Sequence, residues 1–475
     1  AVIADSLTPG ITYTAKDSRD DQDYTVAKLA DGNVWMTKNL NLAGGTTITP
    51  ADSNVAENYT LPANSTTTTS GFSEVANFAN TDCNGMQPCY SYYNWYVSTA
   101  NTNPSDGVIK NDICAKGWKI PTAKNWLSVA NGGSILSYEN SILHITRNSL
   151  FYTDGNFRKE DNRSQYWASC DTDYCTTVQG NVTDYYLGPN WSGLNSSSPR
   201  TGDTVRCIFD RSMQNFSATD AAAMEVGQTI TLVDNRDNQE YTVAKLPDGK
   251  VWMTKNLNLA GGTALTSDNT NMAAGYVMPT SVGFQDGNKL PESSMQGFDN
   301  NDRAFVYNSG GEDCESETGC YSYYSWHAAT LGSVAVDDGW KTAPYDICPK
   351  GWRMPTAQLE DTSLDLSYDF SRLSYSINGG QMIIRYTSST NPTYLEMFSI
   401  LRASPYLFVG SGNIKDSVFT ESMLQDAMYW SAYAGQIGNR TASFVWPIHG
   451  SGGSSMFYGS HTRQNGKAVR CLFAG

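Results

Sequence analysis

Ten cysteines carry most of the chemistry this 475-residue chain has to offer. Thiols ligate zinc, attack substrates or pair as disulfides. A zinc framework needs close Cys-x2-Cys or Cys/His spacings. None occurs among Cys83, Cys89, Cys114, Cys170, Cys175, Cys207, Cys314, Cys320, Cys348 and Cys471. The four histidines, His144, His327, His449 and His461, hold no repeated position, so a Ser/His/Asp or Cys/His site has no consistent partner. An even cysteine set instead suits disulfides in an oxidising compartment. Carboxylates are the other candidates. Asp17, Asp20, Asp21 and Asp23 crowd one turn, echoed by Asp234, Asp237 and Glu240, and offer hard oxygen ligands of the kind calcium takes. Arg19 and Arg236 stand inside those turns and would repel a cation, and Asp commonly stabilises tight turns by bonding backbone amides. We therefore expect no metal and no cofactor, and a fold indifferent to chelation.

The elements that must hold these residues come in two copies. Residues 24–46 and 241–263 differ at two of 23 positions, Ala30 against Pro247 and Asn33 against Lys250. Cys83-x5-Cys89-Tyr-Ser-Tyr-Tyr-x-Trp95 returns as Cys314-x5-Cys320-Tyr-Ser-Tyr-Tyr-x-Trp326. Asp-Ile-Cys114-x-Lys-Gly-Trp118-x-x-Pro-Thr122 returns at Cys348 to Thr356, and Val-Arg-Cys207 returns as Val-Arg-Cys471. The offset between copies grows from 217 to 264 residues, so whole domains are repeated with insertions between kept elements. We assign 1–210 to a first domain, 211–228 to a semi-rigid connector and 229–475 to a second domain. Comparing the copies pairs Cys83 with Cys89, Cys114 with Cys207, Cys314 with Cys320 and Cys348 with Cys471. Cys170 and Cys175 are absent from the second copy as a pair and are read as bonded to each other.

Each copy opens with strand signals, Ile11–Thr14 and Tyr24–Leu29 around the acidic turn, then Val34–Lys38 after an Asp-Gly turn. Residues 47–82 and 264–313 read as polar surface loop. Tyr92–Tyr96 and Tyr323–His327 predict a short helix. Thr122 and Thr356 are placed to cap a second one, and Ser217 or Thr219 a third through the alanines of the connector. Strands return at 166–169 and 205–209, and at 429–432, 443–446 and 469–473. Strands first, two short helices, strands last is an α+β, β-rich pattern, stapled by disulfides.

The Trp-Met-x-x-Asn-Leu block (Trp35–Leu40, Trp252–Leu257), the Tyr-Asn-Trp segment, Ile-Cys-x-Lys-Gly-Trp-x-x-Pro-Thr and the closing Val-Arg-Cys together resemble the Fibrobacter succinogenes major paralogous domain family. The resemblance covers nearly all of both copies outside the long loops. It implies a bacterial secreted or surface protein with two tandem C-type lectin-like domains. That fold also hosts formylglycine-generating enzymes, which use reactive cysteines, but here every cysteine has an assigned partner. Calcium-dependent sugar binding by such domains uses Glu-Pro-Asn or Trp-Asn-Asp runs, and neither occurs. The resemblance implies no reaction.

Composition narrows the partners. A net charge of −15 excludes nucleic acid and anionic membrane surfaces, and no apolar run reaches the roughly 18 residues a spanning helix needs. The first residue, Ala1, gives the expectation of a processed, mature chain. Tyr90, Tyr92, Tyr93, Trp95 and Tyr96 suit stacking on a sugar, but aromatics in a repeated motif are more often core. So are Trp35, Trp118 and Trp167 and their partners Trp252, Trp352 and Trp430. Binding is expected instead on the divergent loops 47–82, 131–160, 264–313 and 357–428. The expected function is a non-catalytic, self-associating subunit of an extracellular bacterial surface filament or layer. Its two modules would form a rod with unlike ends, and the tail Val469–Gly475 of one copy would meet Ala1–Ala4 of the next. The alternative is an adhesin whose divergent loops bind glycan or protein.

Overall fold

The structure, a computed structural model, describes residues 7–63, 77–79, 91–104, 109–130, 142–143, 145, 150–151, 157–158, 164–170, 181–188, 192–281, 306–308, 322–332, 341–357, 366–377, 413–415, 418–420, 429–434, 441–447, 456–462 and 466–475. The chain divides into two compact units, the first ending at Asp210 and the second beginning at Arg211. Both are β-rich with a few short helices. No helix among the described residues is long and apolar enough to cross a membrane.

In the first unit the main sheet is built from β1 (Thr12–Lys16), β2 (Asp23–Lys28), β3 (Val34–Met36), β4 (Trp118–Lys119) and the terminal strand. A second sheet stacks β5 (Ser164–Trp167), β6 (Val182–Leu187) and β7 (Ser192–Ser197), and β8 (Ile208–Phe209) closes the first in the order β1-β2-β3-β8-β4. The Asp-Gly turn works as the sequence predicts. Gly32 takes a φ of 78°, and Leu29 N donates to Asn33 O at 2.9 Å. Asp31 also accepts from the Trp35 indole at 3.1 Å, so the turn fixes the central tryptophan of the sheet. Two short helices follow, α1 (Trp95–Ser98) and α2 (Ala123–Ala130).

The second unit repeats this plan. It begins with α3 (Ala218–Ala223) and continues through β9 (Thr229–Asp234), β10 (Gln239–Lys245), β11 (Val251–Met253), α4 (Trp326–Ala329), β12 (Lys341–Thr342), β13 (Trp352–Arg353), α5 (Asp369–Ile377), β14 (Tyr429–Ala434), β15 (Thr441–Pro447), β16 (Met456–Thr462) and β17 (Leu472–Phe473). Its five-stranded sheet runs β9-β10-β11-β17-β13 and its second sheet β12-β14-β15-β16.

The recurring motifs are scaffold, each tied to another. Arg206 of Val-Arg-Cys donates to Asn39 of the Lys-Asn-Leu block at 2.8 Å, and Arg470 to Asn256 at 2.8 Å. Each guanidinium also lies over a tyrosine ring, Arg206 over Tyr166 at 5.5 Å and Arg470 over Tyr429 at 5.1 Å. Asp112 accepts from Cys114 N at 2.8 Å and Ile120 N at 3.3 Å, and Asp346 from Cys348 N and Met354 N, both at 2.9 Å. Burial pushes both carboxyls up to about 6. Cys114–Cys207 and Cys348–Cys471 bridge separations of 93 and 123 residues.

Several sequence readings need correction. Tyr92 and Tyr93 lie in a strand, Ser91–Tyr93, and the helix begins only at Trp95, capped by the Asn94 side chain on Val97 N at 3.1 Å. The described part of 47–82 is not all surface loop. Thr47–Ile48 pairs with Tyr59–Thr60, and Ile48, Val55 and Leu61 enter the core. Strands 182–187, 192–197 and 456–462 had no clear sequence signal. Thr356 does cap a helix, but Asp369 N, 13 positions on, donates to its hydroxyl at 3.2 Å, whereas Asn125 N, three positions on, meets Thr122 at 3.2 Å. An insertion separates cap from helix in the second unit. Residues 211–228 fall within the second compact unit. Within them α3 is capped by Ser217, which accepts from Asp220 N at 3.2 Å.

Candidate functional site: a sheet-edge docking groove

An antiparallel edge strand leaves outward amides and carbonyls on every second residue, and proteins ordinarily cover or blunt it. In the second unit the edge of β9 is covered by residues 211–216, Arg-Ser-Met-Gln-Asn-Phe. Val233 N donates to Arg211 O at 2.8 Å, and Ser212 forms a parallel bridge with Val233. The Arg211 guanidinium donates twice to Thr231 O, at 3.1 and 2.8 Å. Gln214 donates to Asp234 at 2.8 Å and accepts from Asn235 N at 3.2 Å. The Trp352 indole donates to Met213 O at 2.9 Å, and the Phe216 ring sits 4.9 Å from Phe473 and 5.6 Å from Trp352. Met213, Phe216 and Trp352 are all buried.

The same edge in the first unit is β1. Asp17 N donates to Gln22 O at 2.9 Å, so the alternation turns the main-chain groups of Lys16 and Thr14 outward. Among the described residues nothing pairs with them. Trp118, the counterpart of Trp352, is half-buried against Phe209 at 5.4 Å, and its indole N–H meets no acceptor among the described residues. A recess of about 50 Å³ lies here, walled by Ala15, Lys16, Tyr24, Met36, Leu40 and Trp118. The second unit carries the larger Leu232 where the first has Ala15. An edge with unpaired backbone, a small recess that the Asp17–Arg19 pair also lines and an indole donor is equipped to hold an extended peptide by strand addition.

The acidic turns beneath these edges are ion pairs. Arg19 holds Asp17 at 2.6 Å and reaches Ile113 O at 2.6 Å, and Arg236 holds Asp234 at 2.5 Å and reaches Ile347 O at 2.5 Å. Arg19 and Arg236 thus each hold one carboxylate of their turn, Asp17 and Asp234. Burial, and then the charge of Asp234, push Asp237 up to about 7. No group of three His, Cys, Asp or Glu side chains placed to hold a metal ion occurs among the described residues.

Of the residues named from sequence, Cys114, Cys207, Cys348 and Cys471 form the two bridges given above, and Cys170 is also disulfide-bonded. Cys83, Cys89, Cys175, Cys314 and Cys320 lie outside the described residues, as do His144, His449, Tyr90, Ala1–Ala4 and most of the divergent loops. Tyr92, Tyr93 and Trp95 are buried, as are Trp35, Trp167, Trp252, Trp352 and Trp430, whereas Trp118 is not fully covered. His327 is buried against Trp326. The docking segment escaped sequence reading because only Met213 and Phe216 in it are apolar. The signal that could have found it is its place, directly after the terminal strand of one copy.

Comparison with protein-family models, curated proteins and solved structures gives no match.

Proposed function

We propose that this chain is a non-catalytic extracellular protein of a bacterial surface, a self-associating subunit of a filament or layer built on two C-type lectin-like modules. The observation that carries this reading is the unequal treatment of the two sheet edges. The β9 edge is completed by a segment that follows the terminal strand of the preceding module, and the β1 edge offers the same backbone pattern without such a segment among the described residues. A neighbouring copy supplies it, the chain around its own terminal strand β17 lying along β1. Contacts between unlike surfaces of successive copies propagate into open assemblies unless the rotation closes a ring. Two bridged sheets give such a subunit a covalently braced interior, and the disulfides suit an oxidising, extracellular setting.

The test is electron microscopy of the purified full chain with and without excess of a synthetic peptide spanning residues 210–217. Assemblies that shorten or vanish with the peptide, together with a change in Trp118 emission absent from Trp118→Phe, are the expected result. Assemblies indifferent both to the peptide and to deletion of residues 1–9 sink the docking reading. Discrete particles with saturable glycan binding favour an adhesin.

A further inference from the structure

The inner face of the β5-β6-β7 sheet in the first unit holds two carboxylates that the scaffold does not neutralise. Asp184 of β6 pairs in register with Trp167 of β5, and Asp203 is locked opposite Tyr93 by Tyr93 N to Asp203 O at 2.9 Å and Asp203 N to Tyr93 O at 3.1 Å. Trp167 closes the arrangement by donating to Tyr93 O at 2.7 Å. Both aspartates are fully buried. Asp184 accepts from Gln165 Nε2 at 2.9 Å and Asn195 Nδ2 at 3.4 Å through one oxygen only. Its Oδ1, both oxygens of Asp203 and the Oε1 of Gln165 are buried without a hydrogen-bond partner. Gln165 is itself buried, and its amide nitrogen reaches Asp184.

Two adjacent buried carboxylates must be neutralised, by protons or by a cation. A single shared proton satisfies two of the four lone oxygens and leaves two. A hard divalent cation takes several oxygen ligands and neutralises both carboxylates at once. The second unit supplies an internal comparison. The position of Asp203, four residues before the terminal-strand cysteine, is taken there by Lys467, buried with its ammonium 5.2 Å from the ring of Trp430, the counterpart of Trp167. Phe444 stands in register where the first unit has Asp184. One module therefore carries a positive charge covalently at the place where the other gathers only oxygens. We propose that Asp184, Asp203 and Gln165 of the first unit hold a hard divalent cation of the calcium class, with further oxygens or water completing its sphere. This site is separate from the acidic turns, where Arg19 holds Asp17 and Arg236 holds Asp234. Burial, and for Asp203 also the charge of Asp184, raise both carboxyls, hydrogen bonds from Asn195, Ser197 and Gln165 opposing the rise at Asp184.

The experiment uses the full chain, stripped with EGTA and then titrated with CaCl2 alone at pH 7.5. Expected are a bound ion in native mass spectrometry and slower hydrogen exchange in strands 182–187. A rise of at least about 5 °C in the melting of the first unit should accompany them. Terbium offered in place of calcium should luminesce on excitation of Trp167. Asp203→Asn should abolish these responses, and Asp203→Lys, which copies the second unit, should abolish them while keeping the unit folded. Should both variants unfold, the wild-type terbium signal, displaced by calcium and absent from Trp167→Phe, still decides. Identical melting and exchange with EGTA and calcium, with protection that grows on acidification to pH 5, would show a shared proton and overturn the proposal.

Discussion

The two units spend the same framework on different interiors. Asp-Gly hairpin, arginine–asparagine tie, buried aspartate and long-range bridge recur nearly atom for atom, whereas the ionisable groups set around them diverge. At the start of the second helix the first unit uses neutral Asn125, and the second uses Asp369. There Asp369 accepts from Arg353 at 2.6 and 2.9 Å, from Lys250 at 2.5 Å and from Thr356 N at 2.8 Å. Where the first unit has Trp126, which stacks on Tyr185 at 5.3 Å, the second has the smaller Phe370, 5.4 Å from Trp252. Duplication kept the parts that fix backbone position and released those that set local charge. What is shared is therefore fold, and what differs is where function should be sought.

The comparison breaks first at the disulfides. Replacing Cys114 and Cys207, or Cys348 and Cys471, by alanine pairs should each cost about 4–5 kcal/mol on loop-closure entropy. The two losses should agree within about 0.5 kcal/mol, because loop length enters only logarithmically. Urea unfolding of each double variant measures this, and a large inequality would mean that one bridge is strained. Phe216→Ala comes next. It empties the ring's place between Trp352 and Phe473 and should lower the second unit's stability by about 3 kcal/mol. Acrylamide quenching should then find Trp352 as reachable as Trp118 already is. Quenching confined to Trp118 in both proteins would detach the docked segment from the protection of Trp352.

Asp369→Asn should cost about 3 kcal/mol, at the low end for a broken buried pair because Arg353 and Lys250 reach solvent. Asn125→Ala, at the equivalent place, should cost about 1 kcal/mol. Burial raises the Asp369 carboxyl, but hydrogen bonding to Arg353, its charge and the Lys250 bond outweigh that and hold it well below the usual carboxylate range. The stabilisation is accordingly present above about pH 4 and lost as pH falls through the folded-state value. Helix 369–377 should open in acid before helix 123–130, as hydrogen exchange can show. The smallest effect runs the other way. Asp184, at about 6, and Asp203 are raised, so in EGTA their protonated forms favour the fold at low pH, and that contribution is lost as pH climbs from 5 to 8. Strands 164–167 and 182–187 should then exchange faster at pH 8. No counterpart pair in the second unit drives the same drift in 429–434.

Much of this was legible in the chain. Asp-Gly between β-rich runs announces its hairpin because only such a turn tolerates the positive φ of Gly32 and Gly249. Val-Arg-Cys closes each copy that Lys-Asn-Leu opens, and although 167 residues separate the tied pair in one and 214 in the other, a buried guanidinium needs a dedicated acceptor. The carboxylate pair was half-legible. Aligning the two Val-Arg-Cys runs exposes Asp203 against Lys467, but Asp184 joins it only through the register of strand 182–187 on strand 164–167, which no local pattern encodes. The docking segment was illegible for a different reason. A strand partner that binds by main chain and two anchors has almost no compositional signature.

The capping threonine of the second unit has a consequence for how such a protein diversifies. Thr356 holds the start of helix 369–377 by its hydroxyl and its carbonyl, to which Phe370 N donates at 3.2 Å, although Asp369 lies 13 positions on in sequence. The joint is closed by side-chain chemistry and not by continuity of sequence. Lengthening such a closed excursion costs only about 0.6 kcal/mol per doubling. The position is thus a ready splice point, where evolution or a protein engineer can lodge a new loop in a braced frame without renegotiating the helix that follows.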